Sequence, residues 1–134
     1  MKTHESAAHD SAPHESAPHD SAKVDAATIG IGQHSMGGIA PKLAALTDQV
    51  LFGDIWERPG LSKRERSVAT VAALIAMNRA EQLPFHLQRA LDNSVTHAEL
   101  GELITHLAFY SGWPTAATAV RTLRELPARE AACQ

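Results

Sequence analysis

"SKRERSVATVAALIAMNRAEQLPFHLQRALDN", residues 62–93, is the stretch that decides the fold. Ser62 followed three residues later by Glu65 is a capping box, a side-chain exchange that satisfies the free N–H groups at a helix start. The helix it opens, "KRERSVATVAALIAMNR", is almost entirely apolar from Val68 to Met77. Such a helix is buried on most sides, in a core or in a subunit interface. Next comes "EQLPFHLQRALDN". Pro84 has no N–H to give, so it belongs in a first turn, with a helix starting near Glu81.

The same grammar continues on both sides. Thr96 and Glu99 form a second capping box, followed by Leu100, Leu103, Ile104 and Leu107 at helical spacing. "SGWP" ends that helix, and Pro114 can open the last one, "TAATAVRTLRELPAR". Upstream, Pro41 opens "KLAALTDQVLFGDIW", with Leu43, Leu46, Val50 and Leu51 on one stripe, until "RPGLS" breaks it. About five helices, short loops and no convincing strand predict a compact all-α bundle over residues 41–128.

What precedes this domain has a different character. Residues 3–22, "THESAAHDSAPHESAPHDSA", write the unit x-H-[ED]-S-A four times, with His4, His9, His14 and His19 at a five-residue period. A further copy, "KVDAA", lacks the histidine. The repeat holds almost no large apolar side chain before Val24, so it cannot offset its ordering entropy, and residues 1–25 are expected to be disordered. Residues 26–40, "AATIGIGQHSMGGIA", read as a Gly-rich connecting arm.

The chain has 134 residues and a formal net charge of −3. Two lysines against five acids place all of that charge in residues 1–25, so the body is neutral. No basic face suggests nucleic acid as a partner. Cys133 stands alone, which rules out an internal disulfide framework and a CxxC pair. No apolar run reaches the ~18 residues of a membrane span, and no apolar leader opens the sequence. Cytoplasm is the default expectation.

Polar residues with chemical potential gather in three places. "GDIWERPG" carries Asp54, Trp56, Glu57 and Arg58; "NRAEQLPFHLQRA" carries Arg79, Glu81, His86 and Arg89; "HLAFYSGW" carries His106, Tyr110, Ser111 and Trp113. His86, between Phe85 and Leu87, reads either as a partly buried histidine with a backbone partner or as a proton-transfer group. Glu81 reads as a first-turn acid favoured by the helix dipole or as a catalytic carboxylate. Arg79 is a helix-end charge or a bidentate fork for a substrate carboxylate. Trp56 is most simply a core anchor, His106 a core or interface histidine, and Asp54, Glu57 and Arg58 loop-ordering charges. There is no HExxH, no ligand spacing that would fix zinc, no P-loop and no nucleophile elbow.

Together, the segments W-x-R-P-G-L, R-S-x-x-T-x-A-x-L-I-A-x-N-R, E-x-L-x-x-H-L and Y-x-G-x-P-x-A, from Trp56 to Ala116, resemble the γ-carboxymuconolactone decarboxylase family in order and spacing. The resemblance covers about residues 41–120. It implies a small all-α subunit in a ring-like homo-oligomer, a trimer or a hexamer. It also implies decarboxylation of a small carboxylated lactone in aromatic catabolism, with no cofactor. His86 and Glu81 are the catalytic residues it implies, with Arg79 at the substrate. Trp56, His106 and Tyr110 lie in matched segments, and Arg58 is a second candidate for holding a carboxylate. Ser94 stands where the family usually has Gly, and Ser111 where classical members often have Cys.

The alkylhydroperoxidase D-like relatives use a CxxC followed four residues later by His, with a Glu on the preceding helix. With that His on His86, the cysteine positions fall on Arg79 and Gln82 and the Glu on Ser67. Peroxide reduction needs a thiolate, so thiol peroxidase chemistry is disfavoured. Lactone opening, isomerisation or related proton transfer in the same pocket, and a non-catalytic oligomer that binds a small molecule, are the remaining alternatives.

A five-residue period does not align histidines on one helix face. A flexible tail could gather several imidazoles weakly around Ni, Cu or Zn, but nothing fixes a ligand geometry. A low-complexity tail expanded by repeat slippage is the simpler reading. Deletion of residues 2–22 is therefore expected to leave melting temperature and turnover unchanged; a large loss of activity in the truncated protein would contradict it.

Overall fold

A computed structural model of the chain describes residues 30–127. The histidine repeat, the start of the arm and Cys133 lie outside the described residues. Six α-helices follow one another: α1 (Ile31–Met36), α2 (Pro41–Leu46), α3 (Lys63–Ala76), α4 (Leu83–Asp92), α5 (His97–Ser111) and α6 (Trp113–Glu125). A π-helical turn (Thr47–Phe52) and a 3₁₀ turn (Ile55–Glu57) lie between α2 and α3. No strand occurs among the described residues. The all-α bundle that the sequence predicts is the fold observed, with one short helix more, α1, inside the stretch read as a connecting arm.

The helix starts follow the side-chain chemistry. Ser62 Oγ accepts from the Glu65 N–H at 3.1 Å, and Glu65 accepts from the Ser62 N–H at 2.7 Å. Thr96 and Glu99 repeat the exchange at 3.1 and 2.9 Å. These backbone hydrogen bonds hold both carboxyls below the usual range. Glu99 also pairs with Arg64, which ties the start of α5 to the start of α3.

The helix ends explain two boundaries. α3 stops at Ala76 rather than continuing to Arg79, because Asn78 turns into the left-handed region at φ 53°. The Asn78 N–H donates to Ile75 O at 3.0 Å and the Arg79 N–H to Leu74 O at 2.8 Å, the double bond of a Schellman motif. α4 ends in the same way. Ser94 sits at φ 70°, its N–H donates to Leu91 O at 3.2 Å, and the Val95 N–H donates to Ala90 O at 2.9 Å. Val95 and Ala90 are both buried, so the apolar contact that accompanies this motif is present. The α4 start is displaced from the sequence reading as well. Residues 79–82 make a turn, and the helix begins at Leu83 with Pro84 in its first turn.

The core lies between α3, α4, α5 and α6. Val71, Ile75, Leu83, Leu87, Ala90, Leu100, Ile104 and Ala119 form its centre. Each fully buried Leu or Ile contributes on the order of 1.5–3 kcal/mol relative to exposure. Among the described residues, α3 is buried along Ser67, Val71 and Ile75, with Val68 and Leu74 partly buried beside them; Ala73 and Met77 face outward. The Leu43, Leu46, Val50 and Leu51 stripe is also largely exposed, and Ala44 and Phe52 are buried instead. Ser67 is a polar residue in the core at 1 % exposure, and Asn93 Nδ2 donates to its hydroxyl at 2.9 Å.

α1 is held by a contact distant in sequence. The Asp48 carboxylate accepts from the Gly32 N–H at 2.6 Å and from the Gln33 N–H at 3.1 Å. A Cβ on Gly32 would stand 2.4 Å from Ala44 O, so only glycine permits this approach. The stretch read from the sequence as a Gly-rich connecting arm thus holds a glycine that serves close packing.

A non-glycine residue in the left-handed region costs on the order of 1 kcal/mol, partly offset by the greater unfolded-state freedom of glycine. Ser94→Gly is expected to stabilise the fold by about 0.5–1 kcal/mol. Thermal or denaturant unfolding reads this directly, and an unchanged or lowered midpoint would contradict it.

Candidate active site

His86 occupies the first turn of α4, with its N–H bonded to Gln82 O at 3.3 Å. Leu83, Leu87 and Ala90 point into the core, which leaves His86 on the flank of the helix, half-buried. Its ring meets Phe85 edge-on at 4.9 Å between centroids. Phe85 meets Phe52 at 6.4 Å, and Phe52 meets Trp56 at 6.2 Å. A continuous aromatic wall thus runs from the 3₁₀ turn to the imidazole. Arg89 lies one turn beyond His86, its guanidinium carbon 4.7 Å from the Phe52 centroid and 4.7 Å from the Trp56 centroid. Burial, and then the positive charge of Arg89, push the His86 imidazole below its ordinary value of 6.5. Both effects favour the neutral form of the ring.

Trp56 is 5 % exposed, as expected of an anchor, and Glu57 beside it pairs with Lys63 at 3.1 Å. Arg58 is exposed, and its carbonyl accepts from the Arg66 guanidinium at 3.0 Å. Residues 52–58 connect to α4 through Phe52 and Trp56, which meet Phe85 and Arg89, rather than through Arg58.

Arg79 and Glu81 are both exposed and line one open depression of about 660 Å³, with Leu74, Met77, Asn78 and Gln82. The left-handed turn at Asn78 creates this concavity by reversing the chain between α3 and α4. No hydrogen bond joins Glu81 to His86. The positions that thiol-dependent relatives give to cysteine, Arg79 and Gln82, are the two ends of the turn, with the Gln82 N–H bonded to Arg79 O at 3.2 Å. The corresponding Glu position is the buried Ser67, engaged by Asn93.

His106 and Tyr110 stack on α5 at 4.8 Å between centroids. Phe109 and Trp113 meet at 6.1 Å alongside. Phe109, Tyr110 and Trp113 are 79, 78 and 69 % exposed, and no ring contact among the described residues links this patch to His86. Six of the seven sequence-derived residues therefore fall into three groups, His86 with Trp56, Arg79 with Glu81, and His106 with Tyr110, and Arg58 stands apart from all three. Arg89, Phe52 and Phe85 complete the first group. The i, i+3 spacing of His86 and Arg89 was the available sequence signal for Arg89. Phe52 becomes visible only once the π-helical turn is known.

A model of the carboxymuconolactone decarboxylase family matches residues 41–125, from the first residue of α2 to the last of α6. A 4-carboxymuconolactone decarboxylase of Acinetobacter baylyi is 40 % identical over 75 residues, 56 % of this chain and 56 % of that protein. A nitrosuccinic acid decarboxylase of Metarhizium robertsii is 36 % identical over 64 residues, 48 % of this chain and 45 % of that protein. The aligned stretches span about half the length of these curated relatives. The family match takes in the core helices, both capping boxes, His86 with its aromatic wall and the Arg79–Glu81 depression, so the chain belongs to the carboxymuconolactone decarboxylase family.

Proposed function

We propose that this protein decarboxylates a small dicarboxylic acid that carries its own electron sink, with 4-carboxymuconolactone the first candidate. The observation that carries this reading is His86: a half-buried imidazole of lowered proton affinity, set against an aromatic wall, in a chain of this family.

The two relatives' named substrates share a chemical unit. In 4-carboxymuconolactone, one ring carbon bears a carboxylate and a carboxymethyl group and is conjugated through C=C to the lactone carbonyl. In nitrosuccinic acid, one carbon bears a carboxylate, a carboxymethyl group and a nitro group. Both are succinates substituted at C2 by an acceptor of electrons. When the C2 carboxylate leaves as CO₂, the electrons of the broken C–C bond move through the C=C to the lactone carbonyl oxygen, or to the nitro oxygens. The substrate thus supplies the sink, and the protein has three tasks: to hold the second carboxylate, to stabilise the new oxyanion, and to return one proton to carbon.

Arg79, at the rim of the depression, suits the second carboxylate as a planar two-pronged donor, and Arg58 is the other candidate. His86 returns the proton. Two incoming carboxylates raise its proton affinity, and a low intrinsic value makes the imidazolium a stronger donor. Glu81, exposed beside Arg79, is assigned to orienting His86 or sharing its proton once substrate is bound. Trp56 supports the wall. The exposed Leu43–Leu51 stripe and the aromatic patch of His106, Phe109, Tyr110 and Trp113 favour assembly of several copies. In that arrangement His106 and Tyr110 would face a neighbouring copy's substrate.

A binding-only protein would retain a ligand without turning it over, and a thiol-type peroxidase would consume peroxide. UV-monitored turnover of 4-carboxymuconolactone, CO₂ release from 2-nitrosuccinate and a peroxide control separate the three. His86→Ala is expected to reduce decarboxylation by roughly 10²–10⁴-fold, the usual share of general acid–base catalysis, while the assembled mass is unchanged. Full activity in that variant would remove His86 from the mechanism. The pH dependence has a definite sign. The proton donor is the charged imidazole, so kcat/KM is expected to fall as pH rises through the His86 value, which lies below 6.5. A profile that rises over the same range would make His86 a base instead.

A further inference from the structure

Arg89 is the charged side chain most firmly placed near His86. Its guanidinium lies over two aromatic rings at 4.7 Å each, both carried by the segment between α2 and α3. Phe52 and Trp56 are buried, so their rings are fixed, and a cation held between fixed faces is fixed as well. Phe52 also touches Phe85, whose ring abuts the imidazole. The same two rings therefore locate both the charge and the wall.

We propose that Arg89 is a positioning residue for His86: Phe52 and Trp56 hold its guanidinium one helical turn from the imidazole, so a permanent positive charge and a rigid aromatic wall together bound the reacting histidine. This inference rests on the assignment of proton transfer to His86. The fixed charge favours release of the proton, and the wall limits the directions in which the ring can offer it.

The charged groups on the elements around α4 are the Lys63–Arg66 run on α3, Arg121, Arg124 and Glu125 on α6, and Asp54, Glu57 and Arg58 beside Trp56, with Arg79, Glu81 and Asp92 at the two ends of α4 itself. Arg89 lowers the proton affinity of the imidazole, second to burial.

The test is a proton-NMR titration of the His86 ring in the full chain, beside kcat/KM profiles, for Arg89→Gln and Arg89→Lys. Gln keeps a flat end but no charge; Lys keeps the charge but not the flat fork. The His86 midpoint is expected to rise in Arg89→Gln and to stay near the original value in Arg89→Lys. The falling limb of kcat/KM is expected to move to higher pH in Arg89→Gln with the midpoint. An unmoved midpoint in Arg89→Gln overturns the proposal, and so does an equal rise in both variants, which would mean packing alone. Should Arg89→Gln not fold, Arg89→Met decides: a raised midpoint beside a retained one in Arg89→Lys supports the role of charge, and an unmoved one overturns it. The titration needs no substrate. Absence of turnover in the unmodified protein would therefore refute the decarboxylase reading while the midpoints still judge Arg89.

Discussion

The rotation of α4 about its own axis is the constraint on which the rest depends. Leu83, Leu87 and Ala90 are buried against Val71 and Ile75 of α3, and any other rotation would exchange these side chains for polar ones. Burial of that row fixes where every other α4 residue points. His86 is left on the flank, close enough to the core to lose solvent and far enough out to meet a ligand. Arg89, one turn on, is brought to the rings of Phe52 and Trp56. The chemistry of the candidate site is thus a consequence of apolar packing one residue away.

The opposite side of the site depends on an irregular backbone. The helix that begins at Pro41 loosens into a π-helical turn over Thr47–Phe52. Such a turn takes in an extra residue, which rotates all that follows relative to a regular helix, and it is often found at functional sites. Here it turns Phe52 inward and delivers Trp56 to the same cluster through the 3₁₀ turn. Asp48, within the π-helical turn, holds α1 by two backbone N–H groups, so the irregular segment is braced from outside as well.

Two stretches of backbone in the left-handed region shape the ends of α3 and α4. Asn78 reverses the chain and opens the depression that Arg79 and Glu81 line. Ser94 makes the corresponding turn into α5. The motif favours glycine at both positions, since a Cβ is crowded there. Asparagine tolerates the conformation better than most residues, whereas serine has no such advantage. Serine rather than glycine at residue 94 is thus a cost in backbone energy with the hydrogen bonds of the turn intact.

The sequence by itself determined the helical class, both capping boxes, the breaks at Arg58–Ser62 and Ser111–Pro114, and the family. These signals are local: caps, prolines and apolar spacing act within a turn or two of chain, so one strand of text carries them. It also marked His86, Glu81 and Arg79 through a motif. Only the tertiary structure decided that α1 exists, because the acceptor for its first-turn N–H groups, Asp48, comes from a later segment. It alone joined His86 to Phe52, Trp56 and Arg89, and left His106 and Tyr110 on a separate surface. Periodicity gives the apolar side of each helix. The partner of that side is set by how the helices stack, which depends on contacts between residues far apart in the chain.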